Sequence, residues 1–351
     1  MKITDFSFFD CHLVFGQHFQ GEIRGISSPE KPLKDHLVFI KNTKILNDFL
    51  SSKINSKETS LILIVSSSLW LKEQERITSF LKDRESSVYS TESIEFCLIK
   101  FSKFFHDKKM QFDSTVDGRQ NKTAKIHPTA QIAQDVFIGD SVVIQAHVKI
   151  LTGAVVMAHS SIDENSIIFP HVVIYPFVQV GKNCRIHAGT VLGADGFGYH
   201  FAKGEHHKIW HYAGVILEDH IEIGACSAVD AGTFSPTTIG QGTKLDNHVQ
   251  IGHNCKIGKH VVICGHTAIG GSSIIEDFCV FGGKSGMGHS MKVGKGSQIG
   301  GGALVNSDLP EGSIVSGYPA RPLKEWLRGL AYVRIQSSQN KKEDKKRGDS
   351  L

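Results

Sequence analysis

From residue 126 to residue 192 every sixth residue is aliphatic: Ile126, Ile132, Ile138, Ile144, Ile150, Val156, Ile162, Ile168, Ile174, Val180, Ile186, Leu192. A second run starts at Ile239 and ends at Val305, and only Phe281 and Met287 in it are not Ile, Leu or Val. A period of six matches neither a strand nor a helix. It matches a short strand plus a corner, and three such units close one triangular coil of about 18 residues. Stacked coils pair in parallel with strands about 4.8 Å apart, each aliphatic residue pointing into the prism. Two residues earlier sits a smaller inward slot: Ala130, Val136, Val142, Val148, Ala154, Ser160, Ser166, Val172, Val178, Cys184, Thr190. Gly, Asn and Asp gather at the corners (Gly139-Asp140, Gly181-Lys182-Asn183, Gly258-Lys259), where a positive φ is expected.

The frame breaks between Leu192 and Ile223. Residues 193–214 are Gly-rich and carry Tyr199, Trp210, Tyr212 and four His, and read as a loop thrown out from the prism. A second slip falls at Thr233–Thr238. Long loops in a compact fold tend to carry function.

Residues 1–120 lack the period. Ser60–Ser66 is a strand by its apolar run, and Leu69–Lys82 and Ser93–Phe105 are helices by their spacing, so a small α/β domain is expected. A polar linker follows at 107–125. The prism is expected over 126–309. A basic helix follows over 321–336, with Leu323, Trp326, Leu327, Leu330 and Val333 on one side, and then a disordered charged tail over 337–351.

No apolar run reaches the ~20 residues of a membrane span. The start of the chain lacks a secretory pattern. The net charge of +4 is too small to imply nucleic acid. The seven cysteines contain no CxxC, and Cys184, Cys255 and Cys279 fall in the small inward slot. They read as core packing in a reducing, cytoplasmic setting.

Coil stacking puts His253, Gly271 and His289 in one outward column, each two residues after the inward one, near a corner. A column on a prism face suits a cleft between sister prisms. Histidine titrates near neutrality, so His253 suits a general base for acyl transfer to an amine. The Gly271 amide suits the oxyanion, and glycine lets a carbonyl approach closely. Asp246 and Asn247, one hexad earlier, are candidates to orient the imidazole or bind sugar hydroxyls.

Three stretches then carry a resemblance: Asp195-Gly196-Phe197-Gly198-Tyr199, Ile223-Gly224-Ala225-Cys226, and Lys244-Leu245-Asp246-Asn247-His248-Val249-Gln250-Ile251-Gly252-His253-Asn254-Cys255. Together they resemble the UDP-3-O-(3-hydroxyacyl)glucosamine N-acyltransferases of lipid A synthesis, which are hexapeptide-repeat acyltransferases. The resemblance spans about 1–335 and is strongest over 180–320. It implies a mainly β fold, a left-handed parallel β-helix with a small N-terminal α/β domain and a C-terminal helix. It implies a homotrimer with sites between prisms, and an (R)-3-hydroxyacyl group taken from acyl carrier protein onto the 2-amino group of a UDP-sugar lipid. No cofactor or metal is implied, because the 4'-phosphopantetheine arrives on the carrier.

The resemblance places the base on His253 and the oxyanion glycine on Gly271. It puts the uridine grip on Phe39 and Asn42, within Asn42-Thr43-Lys44, and substrate contacts on Asp195, Phe197, Tyr199 and His289. By charge, Arg321, Lys324, Arg328 and Arg334 suit an acidic carrier.

Three positions depart from the family pattern. Ile45 stands where an aromatic stacks on uracil, and such stacking is worth ~1–3 kcal/mol. Val229-Asp230-Ala231-Gly232 lacks a cation beside Asp230. His289 precedes Val293 by one residue more than the family's second histidine does. Other readings remain open. A γ-type carbonic anhydrase would use His248, His253 and His266 around zinc, although Gly271 above His253 offers no ligand. An acetyl-CoA-dependent sugar acetyltransferase is opposed by the long N-terminal domain and basic C-terminal helix. A non-catalytic homologue would bind nucleotide sugar or carrier protein only.

Overall fold

The computed structural model describes residues 6–52, 60–82, 84–111, 121–317, 320 and 322–348, with side chains of the last helix described to residue 336. The N-terminal part is a five-stranded sheet of β1 (His12–Gly16), β2 (Gly25–Ser27), β3 (His36–Ile40), β4 (Leu61–Ser66) and β5 (Ser86–Thr91). The spatial order is β1-β5-β4-β3-β2, parallel except for the β1–β5 pair. The all-apolar centre of β4 is buried on both faces, as a central parallel strand must be. Helices α1 (Thr43–Leu50), α2 (Ser67–Leu81) and α3 (Ile94–Lys109) pack on it. Each begins at a side-chain cap: Asn42, Ser66 and Ser93 accept from the amides of Ile45, Leu69 and Phe96.

From Lys125 the chain winds into a three-faced parallel β-helix. Rungs of two residues, three at Val215–Leu217 and Thr237–Ile239, build sheets of ten, nine and nine strands. Residues pair with the coil above in the anticipated register, Ile150 with Ile168 and Ile168 with Ile186. The sixth-residue aliphatics and the small slots, including Cys184, Cys255 and Cys279, form one continuous buried core. Two insertions stretch the register without breaking it: Val191 pairs with Ala228, and Glu222 with Lys244. Coil stacking therefore tolerates extra residues at corners while the ladders continue.

The corner chemistry differs from the expectation. Gly139, Gly181 and Gly258 do not have positive φ; a Cβ at any of them would lie 2.6–2.7 Å from backbone atoms of the next coil. They are glycine because coils approach closely there. The left-handed residue comes two positions later, and mostly it is not glycine. Asn183, Asn254, and the histidines His147, His159, His171, His220, His248, His260 and His266 all have φ between 51° and 61°. Much of the histidine content is thus corner structure. His253 is not among these strained positions.

The prism also continues past residue 309, with a final rung at Ile314–Val315 on Gln298–Ile299. The hexad is lost at Glu311, so the sequence pattern stops one rung early. The last helix, α4, runs Leu323–Gly348 and includes residues 337–348, where a disordered tail was expected. No Gly or Pro interrupts residues 330–347, and Lys, Glu, Gln and Arg favour helix. Its apolar side chains Leu323, Trp326, Leu327, Leu330 and Val333 are exposed in the single chain. Cys11 and Cys97, far apart in sequence, bring their thiols to 3.0 Å inside the N-terminal domain.

Candidate active site

The inserted segment folds back on the prism. Tyr199–Ala202 and Glu205–Lys208 form a hairpin, and the following residues dock on α3: Lys109 Nζ donates to the Tyr212 carbonyl at 2.7 Å, and Trp210 N donates to Ser102 Oγ at 3.3 Å. The Tyr212 side chain is buried near Phe105 and Phe234. This anchoring holds the Asp195–Tyr199 turn over the column of His253, Gly271 and His289. Between them lies a cleft of about 1030 Å³. Of the anticipated site residues it collects His253, Gly271, His289, Asp195, Phe197 and Tyr199. Phe197 is 87% exposed, and its ring meets only the edge of Tyr199, centroids 5.0 Å apart, among the described aromatic contacts.

The imidazole of His253 is held in one tautomer. Its Nδ1 lies 3.0 Å from Asn254 Oδ1. Asn254 cannot turn its amide round, because Nδ2 donates to the Ser235 carbonyl while Oδ1 accepts from Thr233 N and Oγ1. Nδ1 is therefore the donor, and Nε2 carries the lone pair. That nitrogen sits over Gly271: a Cβ there would lie 2.6 Å from Nε2. Gly252 is equally tight, since its Cβ would lie 2.6 Å from the Gly271 nitrogen. Two glycines thus leave a base lone pair and a backbone amide uncovered side by side.

Behind His253 is a group the sequence reading passed over. His211 is 1% exposed and packs edge-to-face on the His253 ring, centroids 5.0 Å apart. Among the described residues neither of its ring nitrogens has a hydrogen-bond partner. Burial, aided by the neighbouring His253, pushes its pKa down to about 4, so it is neutral at pH 7. A Cβ at Gly196 would strike both rings, which explains glycine in that turn. The signal in the sequence was only a histidine in an aromatic insertion.

Two carboxylates face the cleft. Asp195 forms a close ion pair with Lys208. Asp230 accepts from Gln250 Nε2 at 3.0 Å, and burial raises its pKa. Gln250 also lines the cleft.

The remaining sequence candidates lie elsewhere. Asp246 and Asn247 are exposed at a different corner. Asp246 Oδ2 accepts from Gly265 N at 2.9 Å, and Asn247 Oδ1 accepts from Ala225 N at 2.7 Å. They tie coils together and do not touch His253, whose orienting partner is Asn254. The spacing of one hexad placed them on the next corner of the triangle. His248 and His266 stack face to face at that same corner, rings 4.8 Å apart, and do not converge with His253. Phe39 packs edge-on against Phe101, Asn42 spends its oxygen capping α1, and Ile45 turns into the domain core. None of the three lines the cleft. Lys324, Arg328 and Arg334 are exposed on α4, and Arg321 lies outside the described residues.

Two family models match parts of the chain: a GMPPB C-terminal domain over residues 119–196, and the bacterial transferase hexapeptide of six repeats over 236–271. Curated relatives include the UDP-3-O-acylglucosamine N-acyltransferase of Methylorubrum populi, 36% identical over 165 residues, 47% of each chain. The enzyme of that name from Wolinella succinogenes is 35% identical over 171 residues, 48% of this chain and 54% of that one. The similar stretch spans about half the length of these relatives. Among solved structures, the UDP-N-acetylglucosamine acyltransferase of Francisella novicida has a TM-score of 0.40 at 25% identity. It covers 60% of this chain and 72% of that one.

Proposed function

We propose that the chain is an N-acyltransferase that moves a 3-hydroxyacyl group from acyl carrier protein to the 2-amino group of UDP-3-O-acylglucosamine. The curated relatives bear the name of an acyltransferase acting on that kind of sugar nucleotide. The observation that carries the reading is the uncovered Nε2 lone pair of His253 directly over Gly271.

In this mechanism the acceptor amine attacks the thioester carbonyl. His253 Nε2 removes an N–H proton as the C–N bond forms, and imidazolium charge is shared through Nδ1–H with Asn254. The carbonyl oxygen, becoming an oxyanion, takes the Gly271 amide. Collapse breaks the C–S bond, and the proton on Nε2 passes to the leaving thiolate. Neutral His211 matters here: a second cation 5.0 Å away would oppose the imidazolium. The exposed bases of α4, Lys324, Arg328 and Arg334, are the surface offered to an acidic carrier. Uridine would be gripped without a second aromatic face, because Ile45 is aliphatic and packs against the domain core. Among the described residues no helix is long and apolar enough to cross a membrane. The proposal further takes the reaction to be cytoplasmic and the active form to be a homotrimer.

The test is product identification. Purified protein is mixed with UDP-3-O-acylglucosamine and a series of 3-hydroxyacyl carrier proteins, with acetyl-CoA as the competing donor. Mass spectrometry should find the amide with carrier donors. Transfer from acetyl-CoA alone would replace this reading with a sugar acetyltransferase.

A further inference from the structure

The two described carboxylates of the cleft differ in a way that proton removal by His253 does not use. Asp195 is neutralised by Lys208. Asp230 makes no ion pair among the described residues, and its neighbour Ala231 is buried and apolar. One of its oxygens, Oδ1, is taken by Gln250, whose Nε2 also donates to the Ile251 carbonyl at 3.2 Å, so the Gln250 amide is fixed with its nitrogen toward Asp230. A half-buried carboxylate with a free oxygen needs a donor or a cation to face it. It faces the same cleft as His253.

Resting on the acyl-transfer reading of this cleft, we propose that Asp230 selects an amine over a hydroxyl acceptor by taking one N–H of the attacking group on its free oxygen. The two acceptors differ in their count of hydrogens. A neutral amine carries two N–H bonds. One points to His253 Nε2 and is lost; the other points to Asp230 and remains as the amide N–H of the product. The nitrogen lone pair is left for the thioester carbon above Gly271. A hydroxyl has one hydrogen, which the base requires, so its oxygen would meet Asp230 lone pair to lone pair. A site built to receive a hydrogen bond rejects a ligand that cannot give it, because its own buried group is left unpaired. Burial raises the carboxyl's pKa; an N–H donor offsets that cost.

The substitution Asp230→Asn makes a sharp test. The new oxygen can keep the Gln250 bond, which turns the new NH₂ toward the acceptor. That group repels an N–H and suits a hydroxyl oxygen. The experiment compares kcat/KM for UDP-3-O-acylglucosamine and its 2-hydroxy counterpart in wild type, Asp230→Asn and Asp230→Ala, with melts and assembly state checked for each. Wild type should prefer the amine by at least about 100-fold, and Asp230→Asn should lower that ratio at least about 30-fold. An unchanged ratio in both folded variants overturns the proposal. A second arm titrates the same two acceptors calorimetrically with no acyl donor present. If wild type acylates neither, the transferase reading fails, yet this arm still decides on Asp230. Amine preference lost in Asp230→Asn upholds it, and equal preference in wild type and variant refutes it.

Discussion

Gly271→Ala should slow catalysis about 100-fold in a protein that folds as well as wild type. The new methyl would lie 2.6 Å from His253 Nε2, 2.8 Å from Cδ2 and 2.9 Å from Cε1. Carbon and nitrogen in ordinary contact need about 3.5 Å, so the ring must retreat by about 1 Å. His253 is only partly buried and lines the cleft, so it can swing into it, giving up its 3.0 Å bond to Asn254. Gly271 does not have a left-handed φ, so alanine adds no backbone strain. Stability should change by less than about 1 kcal/mol. A reacting group displaced by about 1 Å costs on the order of 100-fold in rate, or ~2.7 kcal/mol of barrier. The assay is kcat/KM per folded protein with a thermal melt beside it. Gly283→Ala is the control, at the matching place on another corner, where the nearest atom to the new methyl is a carbonyl at 3.4 Å. Gly271→Ala within threefold of wild type, with the control also active, would refute the placement of the base.

Three further outcomes follow from the same geometry. His211 has a folded pKa of about 4 against an ordinary ~6.5 when unfolded, so the unfolded chain binds the extra proton between these values and stability falls as pH drops from about 6.5 to 4. At pH 5 the loss is about 2 kcal/mol relative to pH 7.5; denaturant melts of wild type against His211→Phe should show it in the first and not in the second. Asn254→Ala frees the His253 tautomer and leaves Thr233 without its acceptor, so kcat should drop at least about tenfold, with a mixed tautomer in nitrogen-15 NMR of His253. Phe281 is fully buried between coils, and Phe281→Ala should cost about 3–5 kcal/mol in a melt, with specific activity of the folded fraction retained.

The prism was legible because its period is strict: one residue in six must fill the same slot, and Ile138, Ile168 and Ile263 all do. The column His253–Gly271–His289 followed from that period by arithmetic alone. The orienting partner was missed because a triangle has three corners. Asp246 and Asn247 are near in sequence yet on another edge, whereas Asn254 is the adjacent residue, disguised as a left-handed corner. His211 was illegible because insertions obey no period, and only the docking of Tyr212 on α3 brings it behind the base. The end of the prism and the length of α4 were misjudged where the hexad gave way to polar sequence whose helical propensity outlasts its amphipathic pattern.

If His253 is the base of an acyl transfer, its loss must slow amide formation. The measurement is the rate of amide formation from a 3-hydroxyacyl carrier protein by wild type and by His253→Ala, both confirmed folded by melt. Wild-type turnover reduced at least about 100-fold in the variant is the predicted result. Equal turnover in the two proteins would contradict the account.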